Sequence, residues 1–364
     1  MYIADASESE MADQIAAHAL GKTSVLLVGE HSTVNIESLI RELCDRNLDF
    51  IGAVFPKIIH DNTIHDTGIV QNTFARAEHV FLVDKLNTGD YELPHIKLEP
   101  TGKYTLLTYV DGLTPRKSEF LVSLYNRFGA GVKYLGGGAG SLSLEQRPCV
   151  FTRDGIFQDA AVCCLLHKDV ALAVRHGWEK IAGPLIATRT DGNVIEELNW
   201  QNAFEVYKAI VEEHSGRSFA ESDFFDIAKG FPFGIVREHT ERVVRDPLMV
   251  GDNGEIICVG EVDENTFLDI LEGKTESLVA AAESAVRDCL DQTENPRKAI
   301  IIDCISRVLF MESDFQKELD GVIRPMKEKN PQISVGGALT LGEISSFGDG
   351  LIQFFNKTVV IGLF

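Results

Sequence analysis

Four places in this sequence carry side chains able to do chemistry. Arg245-Asp246-Pro247 sets a guanidinium beside a carboxylate. Arginine's planar fork either grips a ligand carboxylate through two parallel hydrogen bonds or pairs with its own Asp246 to pin a strand end. Glu343 and Asn356 sit near the C-terminus, suited to an ammonium or amide group or to satisfying their own turns. Glu196 and Glu197 follow Asn193-Val194-Ile195, and strand alternation sends them to opposite faces, so at most one points inward. Cys304, next to Asp303, is the nucleophile-like position, but a thiol needs a positioned base and no histidine is near it in sequence. The chain has no Gly-x-Ser-x-Gly elbow and no His-Glu-x-x-His pair. These residues favour binding over catalysis.

A phrase used three times shows what holds such residues in place. IGAVF (51–55), LGGGAG (135–140) and VGGAL (335–339) each follow a β-branched run and an amphipathic helical stretch. The lead-ins are 23–29 with 35–47, 104–112 with 117–129, and 298–304 with 314–329. Recurring strand–helix–strand units are predicted, at uneven spacing that excludes a solenoid. Glycine inside a strand marks a bulge or a close backbone approach. Gly136, Gly137 and Gly138 therefore either pack tightly against a neighbouring element or bare their N–H groups to a ligand. They do not form a dinucleotide fingerprint: the sixth position is Ser141, and Pro148 argues against a following helix. The GKT at 21–23 lacks the glycine a phosphate loop needs.

Composition narrows the partners. A chain of 364 residues exceeds one ordinary domain and suggests two. With 34 basic against 55 acidic residues and a net charge of −21, neither nucleic acid nor an anionic membrane surface is an expected partner. No apolar run reaches membrane-spanning length, and the acidic N-terminus does not read as a signal peptide. The seven cysteines show no C-x-x-C spacing, which fits buried reduced thiols, a cytoplasmic location and no cysteine metal site.

Along the chain, 6–20 reads as a helix capped by Ser7 or Ser9. A polar stretch (60–68) leads to a strand within 77–86, and 87–102 is a loop. Strand pairs turn at Asp154-Gly155, Asp191-Gly192 and Asn253-Gly254, and 169–181 adds one strand. Helices are predicted over 201–213 and 277–292, and 357–364 is a closing strand. The predicted class is mixed α/β, with helices outside mixed sheets and two domains, 1–200 and 201–364.

VRHGWEKIAGP (174–184), RTDGNVIEELNWQNAFEVY (189–207), VVRDPL (243–248), GGALTLGEI (336–344) and FFNKT (354–358) come in an order that resembles the FIST family, paired N-terminal and C-terminal FIST domains of sensory proteins. The resemblance implies a small-ligand sensor signalling through a separate protein such as a kinase. It adds Trp178, Asn193, Glu197 and Gly342 to the ligand-binding candidates, beside Gly136–Gly138, Ser141, Arg245, Asp246, Glu343 and Asn356. Some family members bind haem and sense nitric oxide; in such a member His176 is the axial-ligand candidate, with the haem held non-covalently. A third reading is an interaction scaffold without ligand. Two departures bear on the site: GAVFPKII (52–59) replaces a Gly-Glu phrase, and DCISRV (303–308) replaces a Cys-Asn-Gly-Arg-Gly-like turn.

Overall fold

Lys22–Gly29, Tyr104–Asp111 and Lys298–Cys304 open the three repeats in the computed structural model, which describes residues 1–236, 242–347 and 351–364. Each lies parallel to the glycine-bearing strand beyond its helix: Asp49–Phe55, Val132–Ala139 and Ser334–Thr340. Val25 and Leu27, Leu107 and Tyr109, and Ile300 and Ile302 point into one shared core. Their alternates Leu26 and Val28, Leu106 and Val110, and Ile301 meet the helices in separate outer clusters. Burial on both faces explains the unbroken apolar runs.

The repeats are bound to one another by exchanged hairpins. The hairpin Lys57–His60/Thr63–His65 leaves the first repeat and pairs with Ser334–Thr340 of the third. Val150–Thr152/Gly155–Phe157 leaves the second for Asp49–Phe55 of the first, and Glu343–Phe347/Leu351–Phe355 leaves the third for Val132–Ala139 of the second. A returning strand then flanks each opening strand antiparallel: Ile69–Ala75, Ala161–Leu166 and Val359–Leu363. Tyr2–Ile3, His79–Val83 and Ala171–Arg175 are the respective edges.

A fourth sheet is inserted in the third repeat, between its edge strand and the helix Thr275–Asp291. It is antiparallel throughout. Glu179–Asp191 pairs with both Thr266–Glu272 and Val194–Leu198, closing the sheet into a barrel with Phe233–Ile235, Val243–Val250 and Ile256–Val259. The helix Ala203–Ser215, capped by the Asn202 side chain accepting from Glu205 N–H at 3.2 Å, packs Ala203, Tyr207 and Val211 against it. The class is therefore mixed α and β, with helices outside mixed sheets.

Several local expectations change. The polar stretch after residue 60 contains the strand Thr63–His65, and Ile69–Ala75 is a further strand the sequence hides: its Gln71 and Asn72 are buried although their type reads as surface. Residues 169–181 give two strands, broken at Gly177, where φ is +76° and a Cβ would lie 2.7 Å from the Ser277 carbonyl oxygen. A short helix, Ile305–Met311, follows Cys304 before the helix Phe315–Lys329. Ser7 caps the first helix, Glu8–Ala19, in a capping box with Glu10. The strand pair expected over 237–260 begins outside the described residues. Among the described residues no helix is long and apolar enough to cross a membrane.

Candidate functional site

The third repeat ends its opening strand in charge. One turn into the next helix, the fully buried Arg307 donates to Glu318 at 2.9 and 2.6 Å and lies 3.4 Å from Asp303. Its remaining donors reach the carbonyls of His176 (2.5 Å), Lys357 (3.0 Å) and Leu278 (3.3 Å). Burial works against the guanidinium's charge, yet Glu318 and Asp303 together hold its pKa above the usual value. Burial, reinforced by Glu318, pushes the Asp303 carboxyl well up.

Beside this network lies a buried cation that reports to the surface. Lys357 Nζ stands 3.1 Å from Asp246 Oδ1, an ionic contact off the hydrogen-bond direction, and donates to the Lys229 carbonyl at 2.9 Å. It sits 4.7 Å above the Trp178 ring, whose indole N–H donates back to the Lys357 carbonyl at 3.1 Å. Burial raises the Asp246 pKa against the pull of Lys357. Arg245 donates to the carbonyls of Glu261 (2.8 Å) and Phe354 (3.3 Å) and to Asn356 Oδ1 (3.4 Å). Glu343 accepts from Thr340 Oγ1 (3.0 Å), Thr358 N–H (3.1 Å) and Thr358 Oγ1 (2.8 Å); burial pushes its carboxyl up to about 7.

Lys229, whose carbonyl holds Lys357, lines a cleft of about 560 Å³ where the barrel meets the third repeat. The end of Ala203–Ser215 supplies His214, the next segment Arg217 and Asp226, and the far wall Glu272, Phe310 and Glu312. Gly273 lets the wall close down on Trp178, because a Cβ there would lie 2.2 Å from the indole ring. His214 faces Glu272 at 3.3 Å and Lys229 faces Glu312 at 3.4 Å. Arg217 donates to the Asp226 carbonyl at 3.1 Å and makes no ion pair with a carboxylate among the described residues. The cleft thus mixes the cations Arg217 and Lys229 with the carboxylates Asp226, Glu272 and Glu312, with a buried ion pair behind.

Of the residues singled out in the sequence, Trp178, His176, Arg245, Asp246, Glu343 and Asn356 gather in this buried region. The glycines do not join it. Gly136 pairs with Thr108, Gly137 pairs with Glu343, and Gly138 N–H donates to the Gly342 carbonyl at 2.7 Å, so their backbone serves a neighbouring strand. Ser141 lies in a surface turn with Ser143, and Asn193 ties its turn to the Cys258 carbonyl at 2.8 Å. Glu197 and Glu196 both pair with Arg189, because the strand slips register around Ala187–Thr190. Sequence reasoning missed Arg307, Glu318 and Lys357. A lysine one residue short of the apolar run VVIGLF was a signal, overshadowed by Asn356 beside it. His214, Arg217 and Lys229 fall in a stretch that reads as polar connection.

Two chemistries can be weighed against the geometry. The Cys304 thiol is buried, and that burial, with Glu343 beside it, raises its pKa well above the usual range; it is not the thiolate that nucleophilic attack requires. For haem on His176, the residues present do not fit. His176 is 6% exposed, its Nδ1 accepts from Trp178 N–H at 2.8 Å, and its backbone carbonyl is bound by Arg307. An ionic, close-packed surround replaces the apolar slot a porphyrin face needs.

Fold and site together define an α/β protein of joined N- and C-terminal parts with a charged cleft at a buried ionic junction. Residues 23–201 match the FIST N domain and residues 203–346 the FIST C domain. The chain belongs to the FIST family, whose domains are associated with sensory signal transduction and are not a known catalytic family. No curated protein matches the chain.

Proposed function

We propose that this chain is a non-catalytic cytoplasmic sensory protein that binds a small polar, amino-acid-like ligand and signals through a separate protein such as a kinase. The observation that carries the reading is the cleft: Arg217 gives one donor to the Asp226 carbonyl and has others for a ligand carboxylate, and Glu272 and Glu312 in the same lining suit an ammonium group. The pairs of Glu272 with His214 and Lys274 and of Glu312 with Lys229 are partly exposed and weak, so a ligand can compete with them. Seven free cysteines, six of them buried, suit a reducing compartment.

Thermal unfolding with each amino acid and with short dicarboxylates tests this. A ligand at about 100 times its Kd adds roughly 2.7 kcal/mol. Arg217→Ala weakens binding about tenfold, equivalent to about 1.4 kcal/mol. If no compound stabilises the protein, the ligand reading falls and an interaction scaffold takes its place. A Soret band in protein expressed with haem precursor would instead favour a gas sensor.

A further inference from the structure

The barrel carries three exposed apolar side chains. Trp200 is 74% exposed, Phe267 51% and Val236 40%. Val236 and Phe267 are neighbours, and Trp200 is tied to the adjoining strand through its backbone. Phe267 lies opposite Ile186 in the ladder, Val236 N–H donates to the Phe267 carbonyl at 2.9 Å, and Trp200 N–H donates at 2.9 Å to Thr188, two residues along the same face from Ile186. Isolated apolar side chains on a surface are ordinary, but exposed aromatics next to a charged cleft are the kind of anchor that interfaces use.

Next to Trp200 is a cleft of about 390 Å³ lined by Asp191, Glu196, Glu197 and Glu255, with Arg189 as its basic residue. It adjoins Trp200 directly, since Glu197 pairs with Asn202 and Leu198 with Gln201 across the Trp200 turn. Arg189 is engaged by both Glu196 and Glu197, and Glu264 lies near it, so the cleft stays negative. We propose that this face docks a basic segment of a partner protein, its Lys or Arg side chains in the carboxylate cleft and an aliphatic or aromatic side chain against Trp200 and Phe267. A second copy of this chain would bring the same carboxylates and a charge of −21 to the contact, and is repelled. The proposal rests on the partner half of the function above and is independent of the ligand half.

Of the chain's two tryptophans, Trp178 is 4% exposed, so acrylamide quenching and solvent-facing emission report Trp200. The full chain is titrated with a synthetic peptide of alternating arginine and leucine, and with one of arginine and serine of equal charge. The arginine–leucine peptide is expected to blue-shift and protect Trp200, more weakly as salt rises. The arginine–serine peptide and the triple variant Glu196→Gln/Glu197→Gln/Glu255→Gln are each expected to bind about tenfold more weakly. If the triple variant does not fold, Phe267→Ser with a dye-labelled peptide carries the same test. No shift with millimolar peptide, equal binding of the two peptides, or undiminished binding by the variants overturns the proposal. Ligand stabilisation without peptide binding removes this inference alone, and peptide binding without ligand stabilisation removes the ligand reading alone.

Discussion

The first and third repeats share one strand plan and finish it with opposite chemistry. In the first, Gly29 and Phe55 end the parallel pair; Phe55 packs edge-on to Tyr109 at 5.5 Å, and Gly29 N–H donates to the Gly68 carbonyl at 3.0 Å. In the third, the matching rung is Cys304 and Thr340, surrounded by Asp303, Arg307, Glu318, Glu343 and Lys357, all buried. The fold thus closes without ions where it can. Burying charge is costly, and well-packed apolar groups often do as well or better. The ionic version occurs where the barrel joins and where the 560 Å³ cleft opens. Through Lys357, which touches Lys229 on the cleft side and Arg307 and Trp178 on the other, the cleft wall and the third repeat share one buried group. One buried lysine thus links the cleft wall to the ionic end of the third repeat.

Breaking the ionic end should cost most. Arg307→Met strands Glu318 and Asp303 and is expected to lower stability by about 3–5 kcal/mol in denaturant unfolding; Phe55→Leu, at the apolar end, by under about 1.5 kcal/mol. Lys357→Met leaves Asp246 without its cation and should cost about 3 kcal/mol at neutral pH. Because burial already raises the Asp246 pKa, part of that loss returns in acid as the carboxyl takes a proton. Glu343→Gln sharpens the contrast by pH. With its folded pKa raised to about 7, Glu343 contributes stability that is full below the ordinary carboxylate range and lost as pH rises through 7. Thermal unfolding of the wild type should fall relative to the Gln variant by on the order of 2–3 kcal/mol across that window. Glu312→Gln, an exposed partner of Lys229, should change stability by less than about 1 kcal/mol.

Much of the strand plan was legible because it repeats: IGAVF, LGGGAG and VGGAL occupy equivalent strands. The hairpin exchange was not, since nothing local in Lys57–His60 or Glu343–Phe347 says which sheet it will complete. Ile69–Ala75 stayed hidden because Gln71 and Asn72 read as surface residues, and the burial of Gln71 depends on partners far along the chain, such as the Ile15 carbonyl that accepts from it. Arg245, Asp246, Glu343 and Asn356 were visible as chemistry, but their role needed Lys357 and Arg307, which a linear reading assigns to the surface. The cleft residues come together only where the barrel meets the third repeat, so no spacing in sequence marks them.

The most direct test of the account is thermal unfolding of the wild type and Arg217→Ala across the amino acids and short dicarboxylates. At least one compound is expected to raise the wild-type midpoint, and Arg217→Ala to lose about half of that rise while keeping its own unliganded stability. No rise with any compound, or an equal rise in both proteins, would contradict a ligand site in this cleft.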